Sequence, residues 1–145
     1  MPQNRKFENF VENKYLGDDQ PKHLVFLYDF ATLGGAQGAI TMTNADGKAL
    51  TIPDNAIITN VIYEELTPFT SGGAATVALG ITGNTDAFIA ATAYNNAAFT
   101  ADVSTKNNEV PLKLDGAKSV LATVAAADLT AGKFKLYVEY IEGTA

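Results

Sequence analysis

The chain has 145 residues, a formal net charge of −6, 47% hydrophobic residues and 18% charged ones, which fits one domain long enough to bury its own core. Its ten basic residues are scattered among sixteen acidic ones, so it lacks the cationic clusters that a phosphate backbone or an anionic membrane surface demands. Cysteine is absent and histidine occurs once, which excludes disulfides, thiolate-metal sites and multi-histidine zinc sites.

Residues 1–21, MPQNRKFENFVENKYLGDDQP, differ in character from the rest. Charges of both signs crowd here, and Phe7, Phe10, Val11 and Tyr15 recur at near-helical spacing before Asp18, Asp19 and Pro21 stop a helix. Two readings stand side by side: a short amphipathic helix folded onto its own domain, or an arm that docks on a neighbouring subunit. Three aromatics are many to leave in water at a terminus. These four apolar residues are the candidate docking residues. No apolar run reaches the ~20 residues of a membrane helix, and no charged-then-apolar leader opens the chain, so an unexported protein is expected.

From Lys22 to the end the pattern predicts strands. HLVFLYDF (23–30) alternates, with Leu24, Phe26, Tyr28 and Phe30 on one face. AITMT and ALTIP flank the turn NADGK (44–48) and read as a short hairpin that Pro53 ends. NAIITNVIYEEL is too rich in β-branched residues for a comfortable helix, and Ile57, Thr59, Val61 and Tyr63 form its better core face. ATVALGI (75–81) puts Ala75, Val77, Leu79 and Ile81 inward. GNTDAFIAATAYNN (83–96) breaks the alternation and reads as one short helix, capped by Asn84 or Thr85. EVPLKL, KSVLATVA and GKFKLYVEYIEG are three further strands, the last with Phe134, Leu136, Val138 and Tyr140 inward. The expected core includes Phe26, Val61, Leu79, Leu112, Val124, Phe134 and Leu136. About eight short strands, one short helix and an N-terminal arm predict an all-β protein, a single β-sandwich or jelly-roll-like domain over residues 22–145.

Little in this pattern supports catalysis. Glu64 and Glu65 are neighbours in a strand and point to opposite sides, so they cannot work as a paired-acid site. His23 stands at the start of a strand, and no nucleophile elbow accompanies it. The aspartates at 54, 86, 102 and 115 do not follow the spacing of a calcium loop, and no metal-binding residue is identified. LGGAQG and SGGA precede no helix and carry no phosphate-loop signature. The expectation is a non-enzyme without a cofactor.

The block IPDNAIITNVIYEELTPFTSGGAATVALGITGNTDAFIAA (52–91) resembles the small decoration or cement proteins of tailed-phage heads. Pro53, Ala56, Ile58, Val61, Thr67, Phe69, Thr76, Val77, Gly80, Asp86, Ala87 and Phe88 carry the likeness, which extends loosely over residues 37–141 and leaves the arm outside. The resemblance implies a β-sandwich made in the host cytoplasm and carried on the virion. It further implies a seat on the capsid surface, with the major capsid protein as partner, often as a homotrimer, and no catalytic residue. A competing reading is a carbohydrate-binding jelly-roll module of a phage fibre or head appendage, for which Tyr28, Tyr63, Tyr94 and Tyr137 are the available aromatic platform.

Overall fold

In a computed structural model that describes residues 20–145, alternating side chains resolve into strands and two single helical turns. Residues 1–19 lie outside the described residues, and with them Phe7, Phe10, Val11 and Tyr15. The strands are β1 (Lys22–Asp29), β2 (Gly38–Thr41), β3 (Thr51–Ile52), β4 (Ala56–Ser71), β5 (Thr76–Ile81), β6 (Asn84–Ala93), β7 (Val103–Thr105), β8 (Leu112–Lys113), β9 (Lys118–Ala125) and β10 (Leu129–Glu142). The helical turns are α1 (Phe30–Leu33) and α2 (Ala97–Thr100).

The strands pair from the outside of the sequence inward, all antiparallel. β1 pairs with β10, β2 and β3 with β9, β4 with β7 and β8, and β5 with β6. Ladders between β4 and β10 and between β5 and β9 join these pairs into two sheets, here sheet I (β1-β10-β4-β7, with β8 also on β4) and sheet II (β2-β9-β5-β6, with β3 also on β9). The chain changes sheet at every connection except those within a track and the β5–β6 hairpin, which is the double Greek key of a jelly roll. β2 and β3 lie on one track along β9, and β7 and β8 on one track along β4. The sandwich is therefore two sheets of four tracks.

An aromatic cluster fills one end of the interior. The Phe134 ring lies 4.9 Å from Tyr63, 5.4 Å from Tyr28 and 5.6 Å from Phe69, and Phe99 sits edge-on to Phe69 at 5.6 Å. Sheet II answers with Val77, Leu79, Ile81, Val120, Ala122 and Val124, all buried. Backbone detail serves this cluster. Gly132 has φ +150°, and a Cβ there would fall 2.4 Å from the Phe69 ring, so only glycine lets β10 pass so close. The Tyr28 hydroxyl, 2.7 Å from the Gly34 carbonyl, secures the end of α1. Burial, followed by the neighbouring Asp29 carboxylate, pushes the Tyr28 phenol up to about 12. Burial, with Glu65 adding to it, raises the Tyr63 phenol further.

Several expectations require correction. Residues 84–93 form β6, not a helix, because Thr82 and Gly83 (φ 85°) make a two-residue hairpin turn that returns the chain along β5. The helical turns instead follow β1, where Asp29 caps α1, and precede β7, where Asn96 caps α2. AITMT and ALTIP meet as a hairpin only at its tip, across the Asn44 turn, while their strands β2 and β3 pair with β9. The Thr43–Ala49 bridge closes the Asn44 turn as a side loop, after which Thr51–Ile52 resumes on β9. In β4 the register slips beside Glu139 and Tyr140, so Ala56 and Ile58 face in before the slip and Val61 and Tyr63 after it. Ile57 and Thr59 consequently face out. Phe30 leaves the strand to start α1, and Leu112 is only half-buried. The other six expected core residues are buried.

Removing the central ring by Phe134→Ala is expected to cost ~3–5 kcal/mol in equilibrium denaturation. A variant melting within a degree or two of wild type contradicts this packing. A second expectation follows from Tyr28. Its folded pKa exceeds the unfolded value of 10.0, so its contribution is complete below pH 10 and is lost as pH rises towards about 12. Unfolding free energy should fall on the order of 3 kcal/mol across that window, and Tyr28→Phe should flatten the fall. An unchanged slope in that variant refutes the assignment.

Candidate docking surface

The two sheets present unlike outer faces. The strands of sheet I carry Lys22, Asp29, Glu64, Glu65, Lys113, Lys133, Lys135, Glu139 and Glu142, together with His23. These charges are largely occupied with one another. Lys22 lies 2.7 Å from Glu142, Lys133 3.9 Å from Asp29, and His23 3.3 Å from Glu139. Glu64 accepts the Tyr137 hydroxyl at 2.6 Å, and that hydrogen bond raises the Tyr137 phenol. Leu66 and Val103, at 45% and 61% exposure the large exposed apolar residues among those described, belong to this same sheet at its β4–β7 margin.

Sheet II has a different surface. Its cross-strand register puts Ala39, Thr41, Thr51, Ser119, Leu121, Thr123, Ala125, Thr76 and Ala93 on the outer side, together with Ala78 and Gly80, which are themselves buried, the backbone of Asn84 and Thr85 lying against Gly80. None of these is charged and none is aromatic. In all its strands the acidic and basic side chains are Asp86 and Lys118 alone, both towards the same end of the sandwich, where Lys118 holds Asp115 at 3.0 Å. At the centre of the face, the Thr123 hydroxyl is buried without a hydrogen-bond partner among the described residues. Its cross-strand neighbours Ala39 and Ala78 have no polar side-chain atom to offer.

A cleft of about 340 Å³ opens at that end, lined by Ile81, Thr82, Gly83, Asn84, Leu112, Lys113, Leu114, Asp115 and Lys118. The Lys113 ammonium bonds the Thr144 carbonyl and Lys118 is paired with Asp115, so both lysines beside the cleft are engaged within the chain. Lys106 is the buried cation. Its ammonium lies 4.9 Å from the Tyr63 ring centre and 2.5 Å from the Ser104 hydroxyl, and burial lowers its pKa.

Among the described residues no set of reacting groups converges. Glu64 looks outward to Tyr137 and Glu65 takes the opposite side, as strand geometry requires. Among the described residues no three of the His, Asp and Glu side chains gather closely enough to hold a metal ion. The fold does not bring the four tyrosines together as a platform: Tyr28 and Tyr63 are buried in the core, Tyr94 is partly buried against it, and Tyr137 is tied to Glu64. The four arm residues lie outside the described residues, and sequence reasoning missed the uncharged face. Its signal was present, since GAIT, TVALGI and SVLATVA contain no charge, but only the pairing of their strands places them on one surface.

No protein-family model matches the chain, and no curated protein sequence matches it. Solved structures share its fold. A chain from the acidic stable capsid of Helicobacter pylori bacteriophage KHP30 superposes with a TM-score of 0.60 at 15% identity, covering 86% of this chain and 89% of that one. A chain of the cyanophage Pam1 capsid gives 0.62 at 19% identity, with 85% of each chain covered. A chain of the capsid of Ralstonia phage GP4 gives 0.53 at 19% identity, with 86% of each covered.

Proposed function

We propose that the chain is a structural virion protein of a tailed phage, a decoration or cement protein that binds the outside of the capsid and stabilises the head. The observation that carries this reading is the shared jelly roll, which spans 85% or more of this chain in capsid structures of three phages. The sequence block 52–91 independently resembles the decoration family. A cement protein needs a folded module and a docking surface, and neither a cofactor nor a reacting group is required. In this reading the major capsid protein is the partner, the working form is a homotrimer, and residues 1–21 are the tether.

The tether follows from energetics. Burying Phe7, Phe10 and Tyr15 on a pre-formed groove contributes ~1.5–3 kcal/mol each, while ordering the backbone costs ~1–2 kcal/mol per residue. The balance in free solution is unfavourable, because ordering even ten residues costs more than the three rings return. On a shell, neighbouring contacts raise the effective concentration and tip it towards docking. Deleting residues 1–20 should leave melting nearly unchanged and weaken sedimentation with heads of the encoding phage at least tenfold, equivalent to ~1.4 kcal/mol. Undiminished binding removes the arm from the account, and a deletion that fails to fold makes residues 1–20 part of the domain.

A further inference from the structure

We infer that the outer face of sheet I is a two-fold contact between two copies of this chain, packed face to face about an axis that runs along the strands between β10 and β4. The inference goes beyond the decoration reading and does not depend on it. Two neighbouring cross-strand rows carry it. The register sets Leu27, Lys135, Glu64 and Val103 side by side across β1, β10, β4 and β7. Laid on its own reverse, this row puts apolar on apolar and each charge on its opposite. The next row is Val25, Tyr137, Ile62 and Thr105, apolar in its first three places. Both rows face outward, since Phe26, Leu136 and Tyr63 between them are buried, and all eight side chains keep some exposure to solvent.

A two-fold axis performs that reversal, because in such a contact residue i meets j and j meets i. Lys135 of each copy then meets Glu64 of the other. Leu27 covers Val103, which is 61% exposed in the single chain, and Tyr137 lies on Ile62. The two charges are available for this. Lys22, Lys118 and Lys133 each have an ion pair, but Lys135 has none among the described residues. Glu64 accepts the Tyr137 hydroxyl through Oε1 at 2.6 Å and enters no salt bridge among the described residues. A partner of different sequence would have to carry the same row in reverse order, and this chain already carries it. Aligned sheets pack ~10 Å apart, a gap that lysine and glutamate side chains span from both sides. Four tracks ~4.8 Å apart, over about nine residues at ~3.3 Å, give roughly 570 Å², close to the ~600 Å² per partner at the lower bound of a stable complex. The pair is therefore expected at high protein concentration and not at trace levels.

The test is sedimentation velocity on the full chain alone, at several hundred micromolar, with one charge exchanged at a time. K135E sets acid against acid across the axis, and E64K sets base against base. Each should associate at least about tenfold more weakly than wild type, with melting only slightly lowered by the like charges now opposed within one sheet. An equimolar mixture of the two variants sets every acid against a base in the mixed pair, so association should return to near the wild-type level. That recovery cannot come from repaired folding, because each chain still carries its own substitution. V103K, at the exposed end of the row, should weaken association with melting unchanged. A wild type that stays monomeric overturns the inference, and so does a wild-type assembly with an odd number of copies. Variants that associate as wild type does remove this face from the contact. A mixture that fails to recover assigns the face to a different partner and overturns the two-fold pairing.

Discussion

The antiparallel ladder between β4 and β10 is the contact on which the other layers depend. It runs from Ala56 and Glu142 at one end to Ser71 and Leu129 at the other, the longest pairing in the molecule. It sets Tyr63 across from Leu136 and Phe134 across from Glu65, so the rings of two strands distant in sequence meet inside the sandwich. β1 and β7 then add to its two sides, and sheet II closes over the rings. Such pairing joins residues far apart in the chain, so its loop-closure cost must be met before the contacts reward it. The irregularities of the ladder follow from the same demand. Register slips around Ala131 and Lys133 bring glycine at 132 under Phe69, and the Asn107 carboxamide accepts from the Val61 N–H at 2.8 Å where β4 slips.

Charge is distributed to match this architecture. A chain with few charged residues places most of those in its strands on sheet I, where several pair at 2.7–3.9 Å or bond a tyrosine, and leaves sheet II almost without them. An ordinary solvated sheet alternates apolar and polar residues. Here sheet II alternates large apolar residues with alanine, threonine and serine, a pattern that keeps the strand phase while removing charge from the surface. That difference between the sheets, more than any single residue, distinguishes the two sides of the molecule.

Much of the fold was legible because strand phase is a local property. In β5, β9 and β10 the inward residues follow from alternation alone, and Val77, Leu79, Val124, Phe134 and Leu136 are buried as expected. What alternation cannot carry is a register slip or the choice of partner. The slip in β4 divides the core between both sequence phases, Ile58 from one and Val61 from the other. β6 was hidden because its bulges against β5 break the period of two, so polar Asn84, Thr85 and Asp86 looked like a helix start. The Asn44 loop looked like a hairpin because turn chemistry is local while the partner of Thr51, Ser119, is not. The uncharged face was illegible for the same reason: each strand shows only that it lacks charge, and a surface exists once β2, β9, β5 and β6 lie side by side.

The measurement that tests the central claim most directly is electron cryomicroscopy of intact heads of the encoding phage. The account predicts density for the jelly roll on the outside of the shell. Density for this domain in a tail or fibre, or its absence from the particle, contradicts the account.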